Sequence, residues 1–174
     1  MKQKHILCFG DSLTWGFRPG LATRFDEDER WTGVLRRELG EEYCVHEDGI
    51  SGRTSVFEDP YVPWRCGKAA LGYTLMSQKP LDLVILMIGT NDLAVGISPD
   101  EVVANIARII ERFQTESRWT RLFVQSILPV NGRDFSKFKG HYAHADAIVE
   151  TNRLLQALCD CLLYTSPSPR DRSL

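Results

Sequence analysis

The chain has 174 residues, 43% hydrophobic and 25% charged, with a formal net charge of −2; this is the composition of one domain able to bury a core. The charge balance excludes the basic field that nucleic acid or an anionic membrane surface would call for, and no apolar run approaches the ~18 residues of a membrane span. Five cysteines, Cys8, Cys44, Cys66, Cys159 and Cys161, are odd in number and irregularly spaced, which matches neither a zinc pattern nor a disulfide framework. Met1-Lys2-Gln3-Lys4 leads straight into an apolar run without a signal-peptide h-region, so a reduced, cytoplasmic setting is expected.

Ile6 to Phe9 reads as a short buried strand, followed by the turn Gly10-Asp11-Ser12. Arg18 to Arg30, charged and containing Pro19 and Gly20, reads as a surface loop. Trp31, Val34, Leu35 and Leu39 recur at helical spacing with Gly40 as the stop, which places Trp31 in the core. Tyr43 to His46 is a weak second strand that gives way at Glu47 to a turn-rich stretch, E-D-G-I-S-G-R-T. Val56 to Gly67 is irregular, and Ala69 to Met76 is a short helix. Leu81 to Ile88 (L-D-L-V-I-L-M-I) is the most apolar run, of a length that favours a strand buried on both faces. Gly89-Thr90-Asn91-Asp92 follows it. Ser98-Pro99-Asp100-Glu101 is a helix start, with Val102, Val103, Ile106, Ile109, Ile110 and Phe113 on one face. Leu122 to Ile127 is a further strand, closed by Pro129 and the Asn131-Gly132 turn, and a helix runs from His144 to Asp160.

Strands alternating with helices predict a parallel α/β sheet with helices on both faces, and such a sheet gathers its strand-to-helix loops along one edge. Those loops carry Ser12, Gly49 and Asn91. A serine hydrolase needs a nucleophile, a base and oxyanion donors. Ser12 supplies the first. The backbone N–H groups of Ser12 and Gly49 and the side-chain amide of Asn91 supply the last, because glycine admits close backbone approach and Asn offers two uncharged N–H donors. Each residue has a plainer reading: Ser12 as a helix N-cap, Gly49 as a turn glycine, Asn91 as a loop residue bonding its own backbone. Trp15, Trp31 and Arg53 are open to a pocket role or to ordinary packing. A rival from another class is a non-catalytic flavodoxin-like module holding an anion at the Gly10-Asp11-Ser12 turn, although no dinucleotide glycine fingerprint is present.

Gly10-Asp11-Ser12-Leu13, Gly49 and Gly89-Thr90-Asn91-Asp92, in this order, resemble the first three blocks of the SGNH (GDSL) hydrolases. The longer stretches G-D-S-L-T-W-G, R-W-T-G-V-L, E-D-G-I-S-G-R-T and P-L-D-L-V-I-L-M-I-G-T-N-D are similar to the arylesterase and perhydrolase-like branch. The resemblance spans roughly residues 4 to 160. It implies a flavodoxin-like three-layer α/β/α sandwich, with Ser12 as nucleophile, Gly49 and Asn91 in the oxyanion hole, and Asp11 and Asp92 bracing their turns. Asp48 stands where many relatives have Asn. The implied activity is hydrolysis of short acyl or aryl esters through an acyl-serine, with carbohydrate acetylesters as the competing substrate class. No metal and no organic cofactor are implied, and the partner is a small-molecule ester. Related proteins often self-associate, so a homo-oligomer is compatible with the chain.

The family pattern includes a fourth block, Asp-x-x-His, in the loop after a fifth strand. None of His5, His46, His141 and His144 has an Asp three residues before it, so neither the catalytic His nor its Asp is found in this chain; His141 and His144, which lead into the last helix, read as surface histidines. Asp160 to Asp171, D-C-L-L-Y-T-S-P-S-P-R-D, resembles one reading frame of a transposase-type sequencing-library adapter. The expected organisation is a hydrolase domain over residues 1–160, lacking the last strand and helix, and a non-native tail over residues 161–174; the alternative is a genuine Ser/Pro/Arg-rich tail. Three expectations follow: an impaired enzyme, an exposed apolar edge at the fourth strand, and poor solubility.

Overall fold

A computed structural model describes residues 3–58, 60–129 and 145–165. Four parallel strands form the central sheet: β1 (Lys4–Gly10), β4 (Tyr43–Gly49), β5 (Leu83–Met87) and β6 (Arg121–Val124), in the order β4-β1-β5-β6. Counting these four alone, the order is 2-1-3-4, the doubly wound flavodoxin-like arrangement. The helices are α1 (Ser12–Trp15), α2 (Trp31–Leu39), α3 (Gly67–Ser77), α4 (Thr90–Ala94), α5 (Pro99–Glu116) and α6 (Ala145–Thr165). Two short strands, β2 (Phe17–Arg18) and β3 (Thr23–Arg24), pair as a small antiparallel ribbon.

Alternation along the strands sorts the core into two layers. Ile6, Cys8 and Val45 face one way and pack with Trp31, Leu35 and Leu39 of α2. Leu7, Phe9, Val84 and Leu86 face the other way, against Leu71 and Leu75 of α3, Ile106, Ile109 and Phe113 of α5, and Ile148 and Leu155 of α6. The expected helical face of α5 is buried, and Ser98 caps it by accepting from the Glu101 N–H at 3.4 Å. α6 is tied to the segment after β6 by Asn152, which accepts from the Ile127 N–H (2.8 Å) and donates to its carbonyl (2.9 Å). Burial raises the Cys8 thiol to about 12, which leaves it an unreactive packing residue.

The expected α/β sandwich stands, with local corrections. The second strand does not end at His46 but continues to Gly49, because all seven of its residues pair with β1 and its acidic side chains are satisfied. Glu47 accepts from Arg24 (2.9 Å) and from Thr32 Oγ1 (2.6 Å), and Asp48 accepts from Arg53 (2.7 Å). The surface loop at Arg18–Arg30 contains the β2–β3 ribbon, held against the sheet by Arg24, which also donates to the Trp15 carbonyl at 2.6 Å. Trp31 is partly rather than fully buried, as is Cys44. The last helix passes beyond Asp160, and Leu162 packs on the core. Among the described residues β6 pairs with β5 only, and its Phe123 is 61% exposed. The Asn131-Gly132 turn, His141 and His144 lie outside the described residues.

Candidate active site

The site begins with Gly10 at the last position of β1. A Cβ there would lie 2.1 Å from Thr14 Oγ1 and 2.7 Å from the Met87 carbonyl, so α1 and β5 can approach this closely only at glycine. Asp11 is the helix cap: its side chain accepts from the Leu13 N–H at 2.9 Å. Ser12 is therefore not the N-cap, contrary to the plainer reading, but the first residue of α1. The cap position is already filled, and among the described residues the half-buried Ser12 hydroxyl has no hydrogen-bond partner. Gly16, at φ 87°, closes the single turn.

Gly49 ends β4 directly opposite Gly10. Its missing side chain is the space occupied by α1, since a Cβ would sit 2.1 Å from the Trp15 nitrogen. The requirement for glycine at residue 49 is thus steric. Gly89, at φ 120°, ends the β5 segment and opens α4; Ile127 and Val102 would meet a side chain there. Asn91 lies in the first turn of α4, with Nδ2 donating to the Arg53 carbonyl (2.9 Å) and approaching Asp11 Oδ2 (3.5 Å). Ser12, Gly49 and Asn91 are thus brought to the carboxyl ends of three adjacent strands, where open α/β sheets bind their ligands.

Two buried carboxylates and one buried guanidinium join these loops. Asp11 links the Ser12 turn to Asn91. Burial raises its carboxyl to about 6, against the lowering effects of the Leu13 N–H and the Arg53 charge, and with a further rise from Asp92. Asp92 does more than brace its own turn: it accepts from the Ser55 N–H (3.1 and 3.0 Å) and from the Ser55 hydroxyl. Burial raises its carboxyl as well, partly offset by these bonds. Arg53 is 1% exposed and therefore does not line an open pocket. It donates to the carbonyls of Gly10 (2.9 Å) and Asp48 (2.8 Å) and to the Asp48 carboxylate, and its guanidinium lies 4.1 Å over the Phe9 ring. The other Asp48 oxygen accepts from Thr74. Sequence reasoning missed the Arg53 clamp and Ser55 altogether. The signal was Arg53 itself, a charged residue in a glycine-rich turn beside an acidic strand end. A shallow cleft of about 350 Å³ beside Asp92 is lined by Phe57, Ile97 and Asn105 among others, and not by Ser12.

Of the four histidines, His5 lies near the opposite, amino-terminal end of β1, and His46 lies in the middle of β4, three residues before Gly49. A parallel three-layer sandwich with this loop set at its carboxyl edge is the arrangement of a flavodoxin-like hydrolase. The chain belongs to the GDSL-like lipase/acylhydrolase family, whose pattern it matches over residues 8–164, as the resemblance to SGNH hydrolases implied. It is similar to the aryl esterase of M. smegmatis, with 33% identity and a TM-score of 0.80 over 91% of this chain and 80% of that one. A carbohydrate acetylesterase from Sinorhizobium meliloti is similar at 30% identity and a TM-score of 0.80, over 92% of this chain and 81% of that one. Esterase TesA of Pseudomonas aeruginosa is 29% identical over 114 residues, 64% of this chain and 49% of the relative; the chain thus spans about half the length of that curated relative. Among the described residues no helix is long and apolar enough to cross a membrane.

Proposed function

We propose that the protein is a serine esterase acting on short acyl or aryl esters, with Ser12 as the nucleophile. The observation that carries this reading is the convergence of a Ser12 hydroxyl, without a hydrogen-bond partner among the described residues, with Gly49 and Asn91 on adjacent strand ends. In the proposed reaction Ser12 Oγ attacks the ester carbonyl. The oxyanion is met by the Ser12 and Gly49 N–H groups and by Asn91 Nδ2, whose long 3.5 Å contact to Asp11 is the one that yields to substrate. The alkoxide or phenoxide leaves, and water then hydrolyses the acyl-serine. Similarity to the M. smegmatis aryl esterase supports aryl esters; similarity to the S. meliloti carbohydrate acetylesterase supports sugar acetates as the second reading.

The step without a described residue to perform it is proton removal from Ser12. His5 is at the far end of β1 and His46 is in mid-strand in β4, so neither lies in the loops that carry the site, and no Asp-x-x-His block occurs in the chain. We infer that the chain as given is impaired, retaining on the order of the 10³-fold over water that an oxyanion hole supplies without a working triad. The test is labelling with a fluorophosphonate, alongside p-nitrophenyl acetate turnover, in this chain and in one extended by a fifth strand and an Asp-x-x-His block. The expected result is slow labelling confined to Ser12, abolished by Ser12→Ala, and turnover restored only in the extended chain. Labelling that survives Ser12→Ala would overturn the nucleophile assignment. Full turnover in the chain as given would overturn the impairment.

A further inference from the structure

Away from the esterase site, β1 and β4 carry a second group of chemically active side chains. In the parallel register His5 lies opposite Cys44, and His46 is two residues further along β4, on the same sheet face. One ligating atom from each of the three lies within 4.8 Å of the other two, and all three residues are half-buried. His5 Nδ1 and His46 Nε2 are 2.9 Å apart, with ring centroids 5.3 Å apart and ring planes 19° from parallel. The centroid separation exceeds the nitrogen separation by about two ring radii, so the two nitrogens face each other nearly in one plane.

We infer that His5, Cys44 and His46 form a binding site for a borderline-soft divalent cation, zinc in particular, in the amino-terminal half of the β1–β4 pair. Two imidazoles and a thiolate are the donor set that such ions take up, at about 2.0–2.1 Å for nitrogen and about 2.3 Å for sulfur. Tetrahedral angles at those lengths put the two nitrogens about 3.3 Å apart; the rings need separate by only a few tenths of an ångström and swing toward the thiol. The N–H between the rings moves to the other nitrogen of its imidazole. The Cys44 proton is released to solvent, so one proton leaves per ion bound. Half-burial leaves the fourth position to water. The cation nearby, Arg36, is itself paired with Glu27 and with Glu47 at 3.7 Å, which offsets its repulsion of a metal ion.

Such an ion would fasten β4, an edge strand, to β1. His5 precedes Gly10 by five residues and His46 precedes Gly49 by three, about 16 Å and about 10 Å of strand at ~3.3 Å per residue, so the ion does not touch Ser12. The test is titration of the reduced full chain with cobalt(II) and then zinc. The expected result is a thiolate-to-cobalt charge-transfer band with tetrahedral d–d bands, saturating at one equivalent and displaced by zinc. The His5 and His46 imidazole resonances should shift with zinc, those of His141 and His144 should not, and the rate of Ser12 labelling should stay unchanged. Cys44→Ser should remove the charge-transfer band while Cys161→Ser keeps it, and His46→Gln should weaken binding at least about tenfold. No charge-transfer band in the unsubstituted chain would overturn the proposal, whatever the variants do. So would a band that survives Cys44→Ser.

Discussion

β1 and β4 run side by side from His5 opposite Cys44 to Gly10 opposite Gly49, and the two ends of this one pairing are built on different physics. At the carboxyl end the side chains are absent where space is needed. Gly10 and Gly49 let α1 lie against both strands, and the buried side chains of Asp11, Arg53 and Asp92 tie the surrounding loops together. At the amino end the side chains themselves meet, half-exposed and held by a single imidazole pair. The first arrangement holds backbone N–H groups in fixed positions, which is what the proposed stabilisation of a developing oxyanion requires. The second leaves donor atoms free to move a few tenths of an ångström, which is what a ligand site tolerates. The imidazoles in the same two strands are not part of the Ser12 site: His5 lies at the opposite edge and His46 in mid-strand, neither in the loops at the carboxyl edge.

The most drastic way to break the carboxyl end is Arg53→Met. It removes two bonds to strand carbonyls and leaves the Asp48 carboxylate, whose side chain is 21% exposed, without its guanidinium. Loss of one partner from a buried pair costs roughly 3–5 kcal/mol, and urea unfolding should record a destabilisation of that order. If the two ends are independent, the His5 and His46 resonances of the folded variant should match those of the parent. A loss under about 1 kcal/mol would mean that the clamp contributes no more than an ordinary surface pair.

A narrower break is Asn91→Ala. In the proposed mechanism this removes one oxyanion donor and should slow fluorophosphonate labelling about 10²–10³-fold. Its bond to the Arg53 carbonyl is a single side chain–backbone contact, so stability should fall by only about 0.5–1.5 kcal/mol. Labelling at the parental rate would remove Asn91 from the hole. A stability loss as large as that of Arg53→Met would make it a scaffold residue instead.

The same contrast governs what was legible in the sequence. β1, β5, α2 and α5 could be read because apolar periodicity and end signals such as Gly40 and Ser98-Pro99 are local. Ser12, Gly49 and Asn91 could be assigned to one sheet edge because strand polarity, once known, fixes where the loops gather. The continuation of β4 through Glu47 and Asp48 could not be read, since two carboxylates in an edge strand are acceptable only when Arg24, Thr32 and Arg53, distant or across a turn, satisfy them. The cap assignment failed for a related reason: Asp11 and Ser12 are both good caps, and only the conformation of the turn decides between them. His5, Cys44 and His46 were invisible as a group because their proximity depends on the register between two strands about 40 residues apart, and no short-range spacing encodes it.

The mildest probe concerns the charge on Asp11. Its carboxyl is raised from 3.8 to about 6 in the folded protein, chiefly by burial. Between those values the folded state holds a proton that the unfolded state has released, so stability must fall as pH rises through that interval. The protection is complete below about pH 4 and gone above about pH 6. Asp92 shifts in the same direction and contributes to the same slope. Asp11→Asn keeps an oxygen to accept from the Leu13 N–H, an arrangement in which Asn caps as well as Asp, and removes the buried charge, giving up only the long 3.5 Å bond accepted from Asn91 Nδ2. The variant should therefore be more stable than the parent at pH 7, by on the order of 1–3 kcal/mol, with the gain vanishing near pH 4. Its fall in stability with rising pH should be shallower than the parent's, with Asp92 still contributing. Unfolding in urea at pH 4 and pH 7 measures both quantities. If the variant is instead less stable at pH 7, the Asp11 carboxylate is held by the Arg53 field more strongly than burial opposes it, and the carboxyl end of the sheet stores less electrostatic strain than its depth implies.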